Sequence, residues 1–250
     1  MTISDALPVQ FWPVNSDTYN EKEPEGVFRR CFCQPWNSTD TIKIQVDFNI
    51  IDAISLKIYD EDSALIQSIA FTNTIDTVYT VSFSPSTYDI TNQLIKLKIY
   101  NGSNELFKSD CLNIKQSWDE TVLITYSNNR NFAGLNYTLV SPDPEFSIRI
   151  PAVFFHERFP EQDEVIELSN SRSIQLNAQV KAQRLLEIFP SPYYWHRKLK
   201  LILKHQFVSI DCQDWVKSEQ YELQESSRRN PLKKALVWLD EKDYIQRNVL

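Results

Sequence analysis

The sequence predicts a mainly β protein, and three features of the 250 residues indicate it. Apolar and polar residues alternate over 41–46, 95–100 and 173–183. Successive side chains of a strand point to opposite faces, so this alternation indicates sheets with one solvated face. Turn-forming residues separate many of the apolar stretches at intervals of about 8–12 residues, as in β-sandwiches. The chain also has only three glycines, which excludes glycine-rich phosphate loops and nucleophile elbows.

The first 25 residues are polar and aperiodic, apart from the apolar pair Phe11 and Trp12 before Pro13. We expect residues 1–25 to form an exposed amino-terminal arm that docks on a neighbouring subunit through this pair. The alternative is that Phe11 and Trp12 pack on their own chain.

Residues 26–117 are predicted to form a β-sandwich domain of immunoglobulin or jelly-roll type. Its short strands are separated by turn sequences such as 60–63 and 101–104. The predicted strands are 27–33, 41–48, 53–60, 64–70, 76–83, 93–100, 104–108 and 110–115.

Residues 118–250 are predicted to form a second, β-rich domain with one helix near 192–205. Pro190 and Pro192 precede this helix, and proline suits a first helical turn. The alternation of Leu199, Leu201 and Leu203 leaves a strand as the rival interpretation. The strand from Ile174 to about Ile188 is long enough that we expect a bend or a bulge near 185–186. The other predicted strands are 121–126, 137–140, 146–150, 165–168, 207–211, 215–217, 221–224 and 235–239.

Charge and composition limit the classes of partner. The net charge of −7 argues against a general binder of nucleic acid or anionic membranes, which needs a basic face. The start of the chain lacks the pattern of a secretory signal, and no window has the composition of a membrane span. We therefore expect synthesis in the cytoplasm. The four cysteines, Cys31, Cys33, Cys111 and Cys212, do not have zinc-site spacing, and we expect free and mostly buried thiols.

The sequence motifs assign no catalytic, cofactor-binding or metal-binding residue. His156–Pro160 begins like a zinc-protease helix, but Pro160 replaces the second histidine and would end the helix. Glu157, Glu161 and Asp163 could serve a hydrolase as acid and base, although such acidic runs are usually solvated loops. The turn 60–62 could bind calcium, but a polar hairpin tip is the better interpretation.

Surface residues of the second domain are candidates for binding. A basic group, Arg197, Lys198, Lys200, Lys204, Arg228, Arg229, Lys233 and Lys234, could meet an acidic neighbour or could simply protect strand and helix edges. Tyr193, Tyr194 and Trp195 could stack on a sugar, or they could be core residues.

The stretch from Phe189 to Leu199, followed by Leu201–His205, resembles tail-associated structural proteins of phages and prophages of Bacteroidetes-type bacteria. These proteins share a Pro-Tyr, Lys-Leu, Leu-x-His pattern, a short hairpin, and then Val-Lys and Tyr-Glu. Here Val216-Lys217 and Tyr221-Glu222 stand at the corresponding places. The resemblance covers about 60–90 residues and brings no catalytic residue with it.

The expected function is that of a non-enzymatic structural subunit of a large assembly, such as a phage tail or baseplate. The resemblance implies that it binds copies of itself and other virion proteins, and that it passes from the host cytoplasm into the virion. Phe11, Trp12, Tyr193, Tyr194 and Trp195 are the candidate interaction residues. The alternative is a carbohydrate-binding or host-surface-binding β-sandwich module, in which Trp12, Trp36 or the 193–195 aromatic residues stack on sugars.

Overall fold

Strands dominate the part of the chain that the structure describes. The structure is a computed structural model, and it describes residues 3–14, 32–48, 53–138, 145–167, 173–224 and 232–249. Among these residues there is one α-helix, beside a short 3-10 turn at Pro85–Tyr88. The prediction of a mainly β chain with one helix is therefore confirmed.

The first part of the chain forms two sheets. In the larger sheet β5, β4 and β8 are neighbours, and β9 and β10 run one after the other along the far side of β8. β1 then pairs with β9, and β2 pairs with β10. The smaller sheet has the order β3-β7-β6. The strands are β1 (Phe11–Pro13), β2 (Gln34–Asn37), β3 (Ile42–Asp47), β4 (Ile54–Asp60), β5 (Leu65–Ala70), β6 (Thr72–Ile75), β7 (Val78–Phe83), β8 (Gln93–Asn101), β9 (Asn104–Ser109) and β10 (Leu112–Lys115).

The alternating sequence places one row of apolar side chains on the buried face of each strand. In β4, Ile54, Leu56 and Ile58 are buried, and the residues between them are half-buried. Leu56 lies opposite Ile99 of β8, so the apolar rows of neighbouring strands meet on one face. This cross-strand contact is the unit that stabilises a sheet.

The second part of the chain forms a closed barrel. Six strands pair in the cyclic order β14-β12-β11-β15-β16-β18, and the β14–β18 pairing closes the ring. All six pairings are antiparallel, which an even number of strands permits. Two further strands extend this sheet: β13 pairs with β14 beyond the end of β12, and β17 pairs with β18 beyond the end of β16. The strands are β11 (Thr121–Ser127), β12 (Phe146–Arg158), β13 (Glu161–Glu167), β14 (Ser173–Ser191), β15 (Phe207–Ile210), β16 (Gln213–Lys217), β17 (Glu222–Gln224) and β18 (Lys233–Val249).

Rows of buried side chains cross the barrel strands. Ile124 of β11 lies opposite Ile148 of β12 on one side and Ile210 of β15 on the other, and all three are fully buried. Tyr126 lies in the next row along β11, opposite Phe146 and Val208. Burial of such residues stabilises a fold by about 1.5–3 kcal/mol per side chain.

The helix, α1 (Tyr193–Ile202), occupies most of the predicted range 192–205. Trp195, Leu199 and Ile202 are buried at positions that share one helical face. This period of three to four residues, rather than the alternation of Leu199, Leu201 and Leu203, decides between helix and strand. Within the described residues no helix is both long enough and apolar enough to cross a bilayer.

The described portion of the predicted amino-terminal arm packs on its own chain. Ala6, Leu7, Val9 and Phe11 are buried and belong to the same core cluster as the barrel strands. Phe11 begins β1, which pairs with β9. Of the two alternatives left open for Phe11 and Trp12, packing on the same chain is the one observed, because strand pairing and apolar burial hold this segment in place. Residues 15–31 of the arm and of the first predicted strand lie outside the described residues.

Several local predictions differ from the structure. β12 and β18 extend well beyond the predicted strands 146–150 and 235–239, and β6 was not predicted. β2 begins at Gln34, after the end of the predicted strand 27–33. Residues 137 and 138 are not in a strand, because Asn131 accepts hydrogen bonds from their backbone N–H groups and holds them in a loop. The bulge expected in β14 near 185–186 lies opposite that position, in β12. There His156 adopts a left-handed conformation (φ 58°) as the extra residue.

Candidate functional site

Two of the five predicted interaction residues, Trp12 and Tyr194, meet at a junction between the amino-terminal segment and α1. At its centre is Asp110, which lies in the turn between β9 and β10. The indole Nε1–H of Trp12 donates to Asp110 Oδ1 over 2.8 Å, and the hydroxyl of Tyr194 donates to Oδ2 over 2.7 Å. The rings of Trp12 and Tyr194 meet edge to face, with centroids 5.6 Å apart. One carboxylate therefore joins β1 to α1.

Lys198, which we predicted as part of a basic surface group, is buried at this junction. Its side chain is enclosed, and Nζ donates to the carbonyl oxygen of Leu7 over 2.6 Å. Burial lowers the pKa of Lys198 to about 7, although Asp110 and Asp5 act in the opposite direction. The prediction was wrong for this residue because charge in a sequence does not show that a backbone carbonyl of the amino-terminal segment lies within reach.

The aromatic residues 193–195 do not form an exposed platform. Tyr194 and Trp195 are buried, and Trp195 packs edge to face on Phe32 with centroids 5.3 Å apart. Tyr193 is 48% exposed. Phe11 is buried and Trp12 is half-buried, so of the five candidates Tyr193 has the most accessible ring. Trp36, a further candidate for stacking on sugars, is fully buried.

A disulfide adjoins the same junction. Cys33 and Cys111 are bonded, and Cys111 directly follows Asp110. The expectation of free thiols was wrong for this pair because β2 lies beside β10 in the sheet and brings two distant cysteines together. Cys212 is free, as expected, but it is exposed rather than buried. Cys31 lies outside the described residues.

The candidate acid–base residues are not brought together as a described site. Glu157 forms an ion pair with Arg184, with Oε1 and Nη2 2.7 Å apart. Glu161 and Asp163 lie on β13, and their side chains are outside the described set. Within the described part of the chain, no group of three or more His, Cys, Asp and Glu side chains could hold a metal ion. The 60–62 turn forms a hairpin tip, where Asp60 Oδ1 accepts a hydrogen bond from the backbone N–H of Ala64.

Two histidines fix the ends of α1. His196 is fully buried, and its Nε2 lies 2.7 Å from the carbonyl oxygen of Lys233. A carbonyl only accepts, so Nε2 carries the proton. Burial lowers the pKa of His196, so Nδ1 is unprotonated and accepts from the Tyr221 hydroxyl over 2.7 Å. At the other end, His205 Nδ1 donates to the carbonyl of Ile202 over 2.9 Å, and burial also lowers its pKa. Both histidines therefore have structural contacts within the fold.

A further feature that could bind another molecule is a three-stranded ribbon, formed by residues 161–167, 173–181 and 245–249. In the ribbon β14 continues beyond its barrel pairings and lies between β13 and the end of β18. Eight residues of strand span about 25 Å. The outer edges of β13 and of residues 245–249 have no strand partner within the described residues.

No protein-family model matches the chain. No curated protein matches it in sequence either. The resemblance to phage tail proteins therefore stays a prediction.

Proposed function

We propose that the protein is a non-enzymatic structural subunit of a large assembly, with a phage tail or baseplate as the assembly that the resemblance favours. The single observation that supports this proposal is the ribbon with its two outer strand edges. An edge strand presents a row of N–H and C=O groups that can pair with a strand of another molecule. Isolated folding domains usually shorten or cover such edges.

The two edges differ in charge, which suggests how copies meet. Among the seven residues of β13 are Glu161, Asp163, Glu164 and Glu167, whereas residues 245–249 contain one charged residue, Arg247. Like charges on directly opposed strands are destabilising, so pairing of β13 with another β13 is disfavoured. Pairing of β13 from one copy with β18 from the next is a head-to-tail contact, and repeated head-to-tail contacts generate rings or filaments.

The division into domains belongs to the same proposal. Residues 26–117 form a β-sandwich domain of immunoglobulin or jelly-roll type, and residues 118–250 form the barrel domain that carries the ribbon. The subunit is made in the host cytoplasm and ends in the virion. Disulfides are rare in a reducing cytoplasm, so the proposal requires the Cys33–Cys111 bond to form after the assembly leaves it.

Native mass measured across a concentration series, with negative-stain imaging of the same sample, tests the proposal. We expect a defined multimer, ring or filament. A strict monomer that is also absent from the particles of its source would contradict the proposal.

Proline substitutions in β13 test whether the ribbon edge is used. Neighbouring residues of an edge strand direct their N–H groups alternately toward the sheet and away from it. Of Gln162→Pro and Asp163→Pro, one should therefore break the β13–β14 pairing and lower the melting temperature. The other should keep the melting temperature and lose the multimer. Retention of the multimer by both variants would show that assembly does not use this edge.

A further inference from the structure

We propose that a groove between the end of α1 and the β16–β17 connection binds a phosphate or sulfate group. The groove has a volume of about 520 Å³. Its walls come from the loop after α1 and from the residues that follow Trp215 in and after β16. Among the residues that line it are Leu203, Lys204, His205, Val216, Lys217 and Glu219.

Two lysines, Lys204 and Lys217, line this groove, and their positive charges repel each other. Burial lowers the pKa of Lys217, and the positive charges of Lys204 and Lys200 lower it further. Lys200 and Lys204 lie at the end of α1, where the helix dipole favours cations. Lys217 comes from β16, and the helix dipole does not account for its approach to two other ammonium groups. Repulsion of this kind is relieved when an anion binds.

The carboxylate that lines the groove does not neutralise the lysines. Glu219 is engaged by Arg158, whose Nη2 donates to Glu219 Oε1. Within the described residues no carboxylate forms an ion pair with Lys204 or Lys217, and the ammonium of Lys200 lies 5.4 Å from the ring centroid of Tyr221. His205 is neutral because burial lowers its pKa. The groove is therefore positive on a chain whose net charge is −7.

The chemistry of the walls favours a tetrahedral oxyanion. Ammonium groups are compact charges that bind phosphate through charge-assisted hydrogen bonds. The groove is also bordered by Leu203 and by Val216, which is 47% exposed. This apolar border suits a phosphate or sulfate group carried on a small organic molecule as well as the free ion. The site is independent of the ribbon and of the proposed assembly.

Thermal unfolding of the full chain in inorganic phosphate, in sulfate and in glycerol phosphate tests the proposal. Sodium chloride at equal ionic strength is the reference. We expect 10 mM phosphate to raise the melting temperature by about 3 °C over the chloride reference, as it does for a site with a dissociation constant near 1 mM. A larger rise with glycerol phosphate would identify the organic ester as the ligand. If glycerol phosphate raises the melting temperature only as much as free phosphate or sulfate does, the ligand is the inorganic ion.

Lys217→Gln is the decisive variant. It removes the repulsion, so its melting temperature in chloride should equal or exceed that of the wild type, while the response to phosphate is lost. Lys96→Gln, an equal change of charge at an exposed position of β8, is the control and should keep the response. The absence of a phosphate response in the wild type, or its retention in Lys217→Gln, would overturn the proposal.

Discussion

The ammonium nitrogen of Lys198 lies 2.6 Å from the carbonyl oxygen of Leu7, a residue 191 positions earlier in the chain. The neighbouring carbonyl, that of Ala6, accepts a hydrogen bond from the hydroxyl of Tyr126 over 2.5 Å. Two buried side chains of the barrel region thus bind consecutive carbonyl groups of the amino-terminal segment. Since buried carbonyls need partners, these contacts allow residues 6 and 7 to be fully buried.

Stability should rise with pH above neutrality because of Lys198. Its pKa of about 7 in the folded protein is well below the ordinary lysine value of 10.5. Between these two values the unfolded chain binds more protons, so the free energy of unfolding increases with pH, by at most about 1.4 kcal/mol per unit. Chemical denaturation between pH 7.5 and 9.5 measures this slope.

Lys198→Met is the matched variant for that measurement, and it should remove most of the slope. The window ends at pH 9.5 because burial raises the pKa of Tyr126, Tyr137 and Tyr221 above 10. The unfolded chain then loses protons that the folded protein retains, and stability falls. An equal slope in Lys198→Met would show that Lys198 is not the titrating group.

Asp110→Ala should lower the free energy of unfolding by about 2–4 kcal/mol, because it leaves Trp12 Nε1 and the Tyr194 hydroxyl without their shared acceptor. Trp12→Phe and Tyr194→Phe each remove one hydrogen bond, and each should cost about 1 kcal/mol. Urea denaturation of the three variants measures these losses and should show the largest one for Asp110→Ala. If Trp12→Phe and Tyr194→Phe each lower the free energy of unfolding as much as Asp110→Ala does, the shared role of the carboxylate is contradicted.

Removal of either Arg149 or Asp40 alone should lower the free energy of unfolding, because the two residues form a buried ion pair. Arg149 Nε and Nη2 donate to the two carboxylate oxygens of Asp40 over 2.6 and 2.8 Å, and both residues are buried. Removal of one partner leaves a buried charge, so we expect Asp40→Ala to cost about 3–5 kcal/mol. The double variant Asp40→Leu with Arg149→Leu should lower the free energy of unfolding less than Asp40→Ala does. The opposite order in urea denaturation would argue against a buried pair.

The Cys33–Cys111 disulfide should contribute substantially to stability. The cysteines are 78 residues apart, and the chain-entropy argument gives about 4 kcal/mol for a loop of that length. Replacement of both by serine should lower the melting temperature of the oxidised protein, whereas Cys212→Ser should leave it unchanged. Peptide mapping without reduction should recover Cys33 and Cys111 as a linked pair. Their recovery as separate free thiols would contradict the bond.

Local features of this fold could be predicted from the sequence because they depend on neighbouring residues. The alternation in Ile42–Val46 places β3 within one residue of its observed limits, and the prolines before Tyr193 place the start of α1. Closure of the barrel could not be predicted. A two-residue period shows which face of β14 is apolar, but it does not show that β18 rather than another strand pairs with it.

The junction at Asp110 shows the same limit. Trp12 and Tyr194 could be chosen from the sequence as aromatic residues with a function, but nothing in the sequence indicates that one carboxylate receives both of their hydrogen bonds. The burial of Lys198 was missed for a related reason. A lysine can be buried when a carbonyl accepts from it, and that carbonyl belongs to a segment at the other end of the chain.

Hydrogen–deuterium exchange of the ribbon, at low and at high protein concentration, tests the central claim most directly. If copies pair through strand edges, amides in 161–167 and 245–249 should exchange more slowly in the multimer. Amides of β11, within the closed barrel, should exchange equally in both samples. A multimer in which the ribbon amides exchange as fast as in the dilute protein would contradict assembly through these edges.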